Sequence, residues 1–248
     1  MTQTLSMSGL AELLRKPLRS QPEGVKRAAR ELWTEMRLAR ASRHSARAFG
    51  ALNGRSGLKV HLGCGVDVRT GWVNVDLFLG PAPTIDPVKR PHTVLIIHDL
   101  RAGLPLAEGS CDLIYSSHFF EHLSFPQGLR LMQDCYRALR RDGTFRIVLP
   151  DFGKCFDAYL RKDADFFALL DEHRLLNAFE PKYRTLVDYI NYVVYQYGEH
   201  LAIYDEEKVS HILRTIGYRA VVRSEHQSGM DPESDLRRRY SFYVEATK

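Results

Sequence analysis

Hydrophobic positions in this chain follow two rhythms, and together they lay out the expected elements. Short runs dense in apolar and β-branched residues read as strands buried on both faces. They are Val60–Leu62, Trp72–Asp76, Thr93–Leu100, Cys111–His118 and Thr144–Pro150. Two further runs, Tyr218–Arg223 and Tyr240–Ala246, bring the count to seven and are expected to form an antiparallel pair at one sheet edge. Helical spacing appears in Leu129–Leu139, which Arg140-Arg141-Asp142-Gly143 should stop, and in Glu206–Ile216, ended by Gly217. Strands alternating with helices predict an α/β fold around a mostly parallel sheet with helices on both faces.

Upstream of the first strand, Val25, Ala29, Leu32, Trp33 and Met36 recur at helical spacing among basic residues, so 24–49 is expected to be a basic amphipathic helix. Residues 1–23, punctuated by Pro17 and Pro22, read as a leader, and Asn53–Gly57 as a linker. The division is therefore an N-terminal extension over 1–57 and one α/β domain over 58–248. Within the domain, about 151–203 is a helical insertion rich in aromatic residues, among them Phe152, Phe156, Tyr159, Phe166, Phe167, Phe179, Tyr183, Tyr189, Tyr192, Tyr195 and Tyr197. Leu77–Pro91, with four prolines and a glycine, is a loop, and Met230–Ser234 a turn.

The chemistry starts where the first strand ends, in His61-Leu62-Gly63-Cys64-Gly65, followed by a second strand closing on Asp76. Glycines at such a turn let the backbone approach a ligand, and an acid at the next strand end can accept from ribose hydroxyls. A dinucleotide fits poorly. The third glycine that seats a pyrophosphate is replaced within Val66-Asp67-Val68-Arg69, and Asp76 follows Gly65 at about half the usual spacing of roughly 20 residues. A phosphate-free adenosyl ligand, S-adenosylmethionine, fits better.

Further motifs recur in order: Gly71–Asp76, His98-Asp99-Leu100, Tyr115-Ser116-Ser117-His118 with Glu121-His122-Leu123, Leu139–Gly143 leading to Leu149-Pro150-Asp151, and Tyr204–Glu207 before a helix ending at Gly217-Tyr218. With these the chain, over about 58–248, resembles a class I S-adenosylmethionine-dependent methyltransferase of the small bacterial type often associated with glycan biosynthesis. The resemblance implies a Rossmann-like seven-stranded sheet. It also implies a cofactor site formed by Gly63, Cys64, Gly65, Asp76, Asp99, Leu100, Ser116 and Ser117. Gly63 and Gly65 would line the methionine and ribose side, Asp76 would take the ribose hydroxyls, and Asp99 with Leu100 would sit at the adenine.

Methyl transfer to a hydroxyl needs a group to take its proton. His118, at the end of the fourth strand, is the first candidate and His200 the second, with Asp151 an alternative. His118 could equally be a hydrogen-bonded residue that only positions the acceptor. Glu121 and His122 are expected to cap or brace the following helix. The expected acceptor is a saccharide or glycan precursor recognised by the aromatic insertion. The alternatives are N- or O-methylation of another small metabolite, or an inactive partner subunit that kept the fold.

Composition narrows the field. Of 248 residues 44% are hydrophobic, enough for one sizeable core, and no apolar run approaches membrane-spanning length. The first residues lack the features of a secretory signal, and Cys64, Cys111, Cys135 and Cys155 show no metal-type spacing, so a cytoplasmic protein with reduced thiols and no metal is expected. Net charge is +5, and residues 1–57 hold 11 Lys/Arg against 4 acids. The basic helix therefore reads either as a segment packed over the cofactor end or a second subunit, or as a peripheral contact with the inner face of an anionic membrane. Aromatic–basic interleaving is missing, which disfavours nucleic acid as partner.

Overall fold

The computed structural model describes residues 22–78, 82–172 and 181–248; the leader expected before residue 22 lies outside these, as does Phe179. In chain order the elements are α1 (Glu23–Gly50), β1 (Leu58–Leu62), β2 (Val73–Asp76), β3 (Val94–Ile97), β4 (Cys111–Ser117), α2 (Phe125–Ala138), β5 (Leu139–Pro150), α3 (Phe152–Arg161), α4 (Ala164–Glu172), α5 (Leu186–Tyr195), α6 (Glu206–Ile216), β6 (Ala220–Ser224), α7 (Asp235–Tyr240) and β7 (Ser241–Thr247). The seven strands form one sheet in the order β3-β2-β1-β4-β5-β7-β6. The first five are mutually parallel, and β7 runs antiparallel to both β5 and β6. β1 and β4 are the neighbours from which the chain departs in opposite directions, so the crevice between their carboxyl ends is the switch point.

Side chains on a strand alternate between faces, and here the two faces differ in kind. One carries Val60, Leu62, Val75, Ile96, Ile114, Phe145, Ile147, Phe242 and Val244, all buried in a single core with residues of α2, α6 and the end of α1. Across the other face the register aligns Asn74, His61, Tyr115, Arg146 and Glu245 in one row from β2 to β7. Two loops cover that row. Residues 63–72 join β1 to β2 without a helix and bring Arg69 over it. Its guanidinium lies 4.0 Å from the Tyr115 ring centre, its N–H donates to Asn74 Oδ1 at 2.8 Å, and its side chain donates to the Met230 carbonyl in the second loop. That second loop contributes Asp231, fully enclosed, which pairs with Arg146 and accepts from Tyr115 Oη at 3.2 Å and from Gln227 N–H at 2.7 Å. Arg146 also donates to Glu245 at 2.7 Å and to the Glu225 carbonyl at 2.8 Å. Burial holds His61 neutral in this row, its pKa pushed down to about 3.

Three expected boundaries moved. α2 begins at Phe125, not near Leu129, because Gln127 Oε1 accepts from the Ser124 N–H at 2.9 Å and Pro126 suits a first helical turn. β5 begins at Leu139, because the basic tetrapeptide that should end the helix already runs in the strand, with Asp142 in the left-handed region at φ 65°. Asp235–Tyr240, Arg-rich and without apolar period, forms the short α7 with Ser234 as its cap. Between β5 and α6 the described residues form the helices α3, α4 and α5. Phe152, Phe166 and Phe167 fill the small core of this segment with Val193 and Tyr240, whereas Tyr183, Tyr195 and Tyr197 are exposed.

The Arg146–Asp231 pair should dominate the stability of the second face, since removing one partner strands a buried charge. Asp231→Ala is expected to lower unfolding stability by about 3 kcal/mol or more. Urea denaturation reads this directly, and a loss under about 1 kcal/mol would be inconsistent with a buried guanidinium left to the partly exposed Glu245.

Candidate active site

The carboxyl ends of β1–β4 open into a cavity of about 680 Å³, a size suited to a small-molecule ligand. Of the eight residues expected to hold a cofactor, Gly63, Cys64, Gly65, Asp76, Asp99, Leu100 and Ser117 line it. Ser116 does not; it is fully buried within the sheet, on the opposite side of the strand from Ser117, with its hydroxyl unpartnered among the described residues. Four carboxylates (Asp67, Asp76, Asp99 and Glu199) and two guanidiniums (Arg101 and Arg237) share the wall, so the cavity favours a ligand carrying positive charge.

The glycine turn has two different halves. Gly65, at φ 50°, faces open space: a Cβ placed there would meet nothing within 4 Å. Its N–H donates to Asp76 Oδ2 at 2.5 Å, tying the end of β1 to the acid that ends β2. Because β1 and β2 are joined by a turn that needs no helix, the short spacing to Asp76 does not keep the carboxylate from the cavity. Gly63, at φ 64°, is closed over by the ring of Phe119, which a Cβ would approach to 2.3 Å. Cys64 lies between them, and burial pushes its thiol up to about 12, so it is no nucleophile at neutral pH.

The far end of the cavity is built by His98 to Arg101, which follow β3, with α1 packed behind them. Asp99 is held by Arg101, whose Nη2 donates at 2.8 Å, and Arg101 in turn makes a two-pronged pair with Glu35 of α1 at 2.9 and 3.1 Å. Arg101 was not foreseen in the sequence, and it leaves Asp99 charge-balanced. Next to it, His98 Nε2 donates to the Gly103 carbonyl at 2.9 Å, so Nδ1 accepts from Ser45 Oγ of α1 at 2.8 Å. Phe49 meets the His98 ring edge-on at 5.1 Å. The basic helix is thus packed over this end of the site, while Leu32, Trp33 and Met36 are exposed on its surface.

At the opposite end stands His118, in the left-handed region at φ 49°. It lines both the large cavity and a smaller one of about 120 Å³. His200 lines only the smaller one, together with Tyr192, Tyr240 and Arg237. His118 Nε2 lies 2.7 Å from Ser241 Oγ, and Nδ1 is 3.6 Å from Glu121 Oε1. Desolvation pushes the imidazole well below its ordinary pKa and lifts buried Glu121 up to about 8. At neutral pH the two therefore face each other uncharged. Asp151, the alternative base, caps α3 through the Lys154 N–H at 3.1 Å and lies outside both cavities. The helix expected to be capped or braced by Glu121 and His122 is capped by Ser124 with Gln127, and His122 lines the large cavity.

Gly63→Ala should be damaging twice over, through its backbone angle and through Phe119. It is expected to lower the unfolding midpoint and to weaken cofactor-dependent thermal stabilisation at least about tenfold in ligand concentration, a free-energy change of about 1.4 kcal/mol. Thermal unfolding across a cofactor titration checks both, and an unchanged dose response would contradict the role of this turn.

A family model described as a methyltransferase domain matches residues 61–147, the stretch from β1 to β5 that forms most of this cavity. A comparison with curated proteins returns no match. Among solved structures the chain is similar to a SAM-dependent methyltransferase from Archaeoglobus fulgidus, at 16% identity and TM-score 0.44, over 87% of this chain and 94% of that one. A SAM-dependent methyltransferase from Aquifex aeolicus aligns at 13% identity and TM-score 0.42, over 82% and 88%. A Haemonchus contortus phosphoethanolamine-type N-methyltransferase, solved with S-adenosylhomocysteine, aligns at 13% identity and TM-score 0.47, over 83% and 53%. Residues 61–147, with the glycine turn, Asp76 and Asp99 among them, match the methyltransferase-domain family.

Proposed function

We propose that the protein methylates an oxygen of a saccharide or glycan precursor. The observation that carries this reading is the join between the two cavities: a neutral imidazole, His118, faces both, beside an insertion that presents exposed tyrosines. Gly63 and Gly65 give the cofactor backbone without Cβ atoms, Asp76 accepts from the ribose, and Asp99 with Leu100 receives the adenine. When bound, the cofactor supplies the electrophilic methyl group. The chain aligns the acceptor in line with it and excludes water, which can account for much of the acceleration.

His118 is the general base. With Ser241 Oγ taking the Nε2 proton, the Nδ1 lone pair receives the acceptor hydroxyl proton as the new bond forms. Its low basicity suits a proton that leaves late in the transfer, and its neutrality keeps it competent throughout the physiological range. His200 supports the acceptor from the smaller cavity. Arg237, whose Nη1 is buried without a partner among the described residues, offers a donor to an acceptor oxygen. Tyr195 and Tyr197, just before the cavity-lining Glu199, offer faces on which a sugar ring can stack.

His118→Ala should reduce turnover by about 10²-fold or more with cofactor binding retained, the usual weight of a positioned base. Methyl-donor assays against nucleotide sugars and glycolipid extracts test both acceptor and base. Turnover unchanged by the substitution removes the base, and transfer confined to amines removes the acceptor class.

The same reading puts the protein at the inner face of an anionic membrane. No described helix is long and apolar enough to cross a membrane. Between 24 and 49, however, α1 has seven Lys/Arg against two Glu, next to the exposed Leu32, Trp33 and Met36. Co-sedimentation with phosphatidylserine vesicles is expected at low salt and should fall steeply with added salt and with Trp33→Ala. Equal recovery with neutral vesicles would contradict it.

A further inference from the structure

Three side chains gather at the partition between the two cavities, and two of them, Glu121 and His122, have no part in the methyl transfer just described. One carboxylate oxygen of Glu121 and one ring nitrogen each from His122 and His200 lie within 4.8 Å of one another. His122 lines the larger cavity, His200 the smaller, and their rings meet edge-on at 4.9 Å. The backbone holds the two segments together: the Leu201 and Ala202 N–H groups both donate to the Glu121 carbonyl, at 2.8 and 3.2 Å.

The orientation of the imidazoles is informative. His200 Nδ1 lies 2.7 Å from the Val193 carbonyl, and His122 Nδ1 lies 3.2 Å from the Glu199 carbonyl. A carbonyl can only accept, so each Nδ1 carries the proton and each Nε2 presents a lone pair. Backbone carbonyls that set the tautomer in this way are the usual outer support of metal-ligating histidines. The carboxylate adds a second, independent sign. Glu121 is 1% exposed, and its Oε2 has no partner among the described residues, although burying an unsatisfied polar oxygen is costly.

We propose that Glu121, His122 and His200 form a binding site for one divalent transition-metal ion of the zinc type. Two imidazole nitrogens and one carboxylate oxygen suit such an ion better than magnesium or calcium, which prefer all-oxygen surroundings. Ligand atoms at about 2.1 Å from a tetrahedral ion stand about 3.4 Å apart, so the set closes by side-chain movements on the order of 1 Å. Three protein ligands leave one position open at the cavity wall. Arg237 lines both cavities and adds positive charge nearby, so an oxygen donor in the open position would also meet its unpaired Nη1. The ion would pin the segment following α5 to the turn after β4.

The test uses the full chain, stripped with a chelator and then titrated with Zn²⁺ by calorimetry and with Co²⁺ by visible absorption. One equivalent of either metal is expected, with Co²⁺ giving the intense bands of a four-coordinate site. Glu121→Gln keeps the shape of the buried side chain, and His122→Asn alters a half-buried turn; each, shown to be folded by circular dichroism, should weaken binding by about 100-fold or more. His200→Ala should do the same. No saturable binding by the wild-type chain, or binding unaltered in the folded variants, would overturn the proposal.

Discussion

The buried row Asn74–His61–Tyr115–Arg146–Glu245 is the constraint on which the site depends. Polar groups on a covered sheet face need partners, and Asn74, Tyr115 and Arg146 find theirs in two loops. Arg69 reaches Asn74 and Tyr115 from the loop whose opening residues are the glycine turn. Asp231 reaches Arg146 and Tyr115 from the loop that supplies Pro232, with Arg237 a short way on, to the cavity wall. Both rims of the cavity are therefore latched to the middle of the sheet, and Arg69 joins them through Met230. Buried hydrogen bonds and ion pairs of this kind rigidify the loops they hold.

The opposite face works by different physics. It is largely apolar, with Ser116 in register between Leu62 and Ile147, and it backs the crevice beside β1 and β4. α1 belongs to this face through Phe49, and its Ser45 and Glu35 hold His98 and Arg101, which line the cavity. The N-terminal helix thereby backs the site from behind its lining residues, with Glu35 and Asp99 sharing Arg101 between them.

How much of this could be read from residues alone follows from the range of the forces involved. Buried parallel strands announce themselves as apolar runs, so β1 to β4 and their order of appearance were plain, as was α6 between Asp205 and Gly217. The start of β5 was not, because Arg140–Gly143 has the composition of a helix stop and only pairing with neighbouring strands makes it strand. Gly63, Gly65, Asp76 and Asp99 were readable because turn and acid are close in sequence. Arg101, the Arg146–Asp231 pair and the approach of His200 to Glu121 were not, since each depends on contacts between distant segments or on side-chain direction. Ser116 and Ser117 show the smallest version of the problem: adjacent residues at a strand end point to opposite faces, and only one can line the cavity.

The most direct test of the cofactor pocket is calorimetric titration of the intact chain with S-adenosylhomocysteine, alongside Asp76→Ala. One saturable site in the wild-type chain, lost or strongly weakened in the variant, is the result this structure requires. Absence of binding heat in the wild-type chain across a temperature range, or equal affinity in the two proteins, would contradict a cofactor held at the ends of β1 and β2.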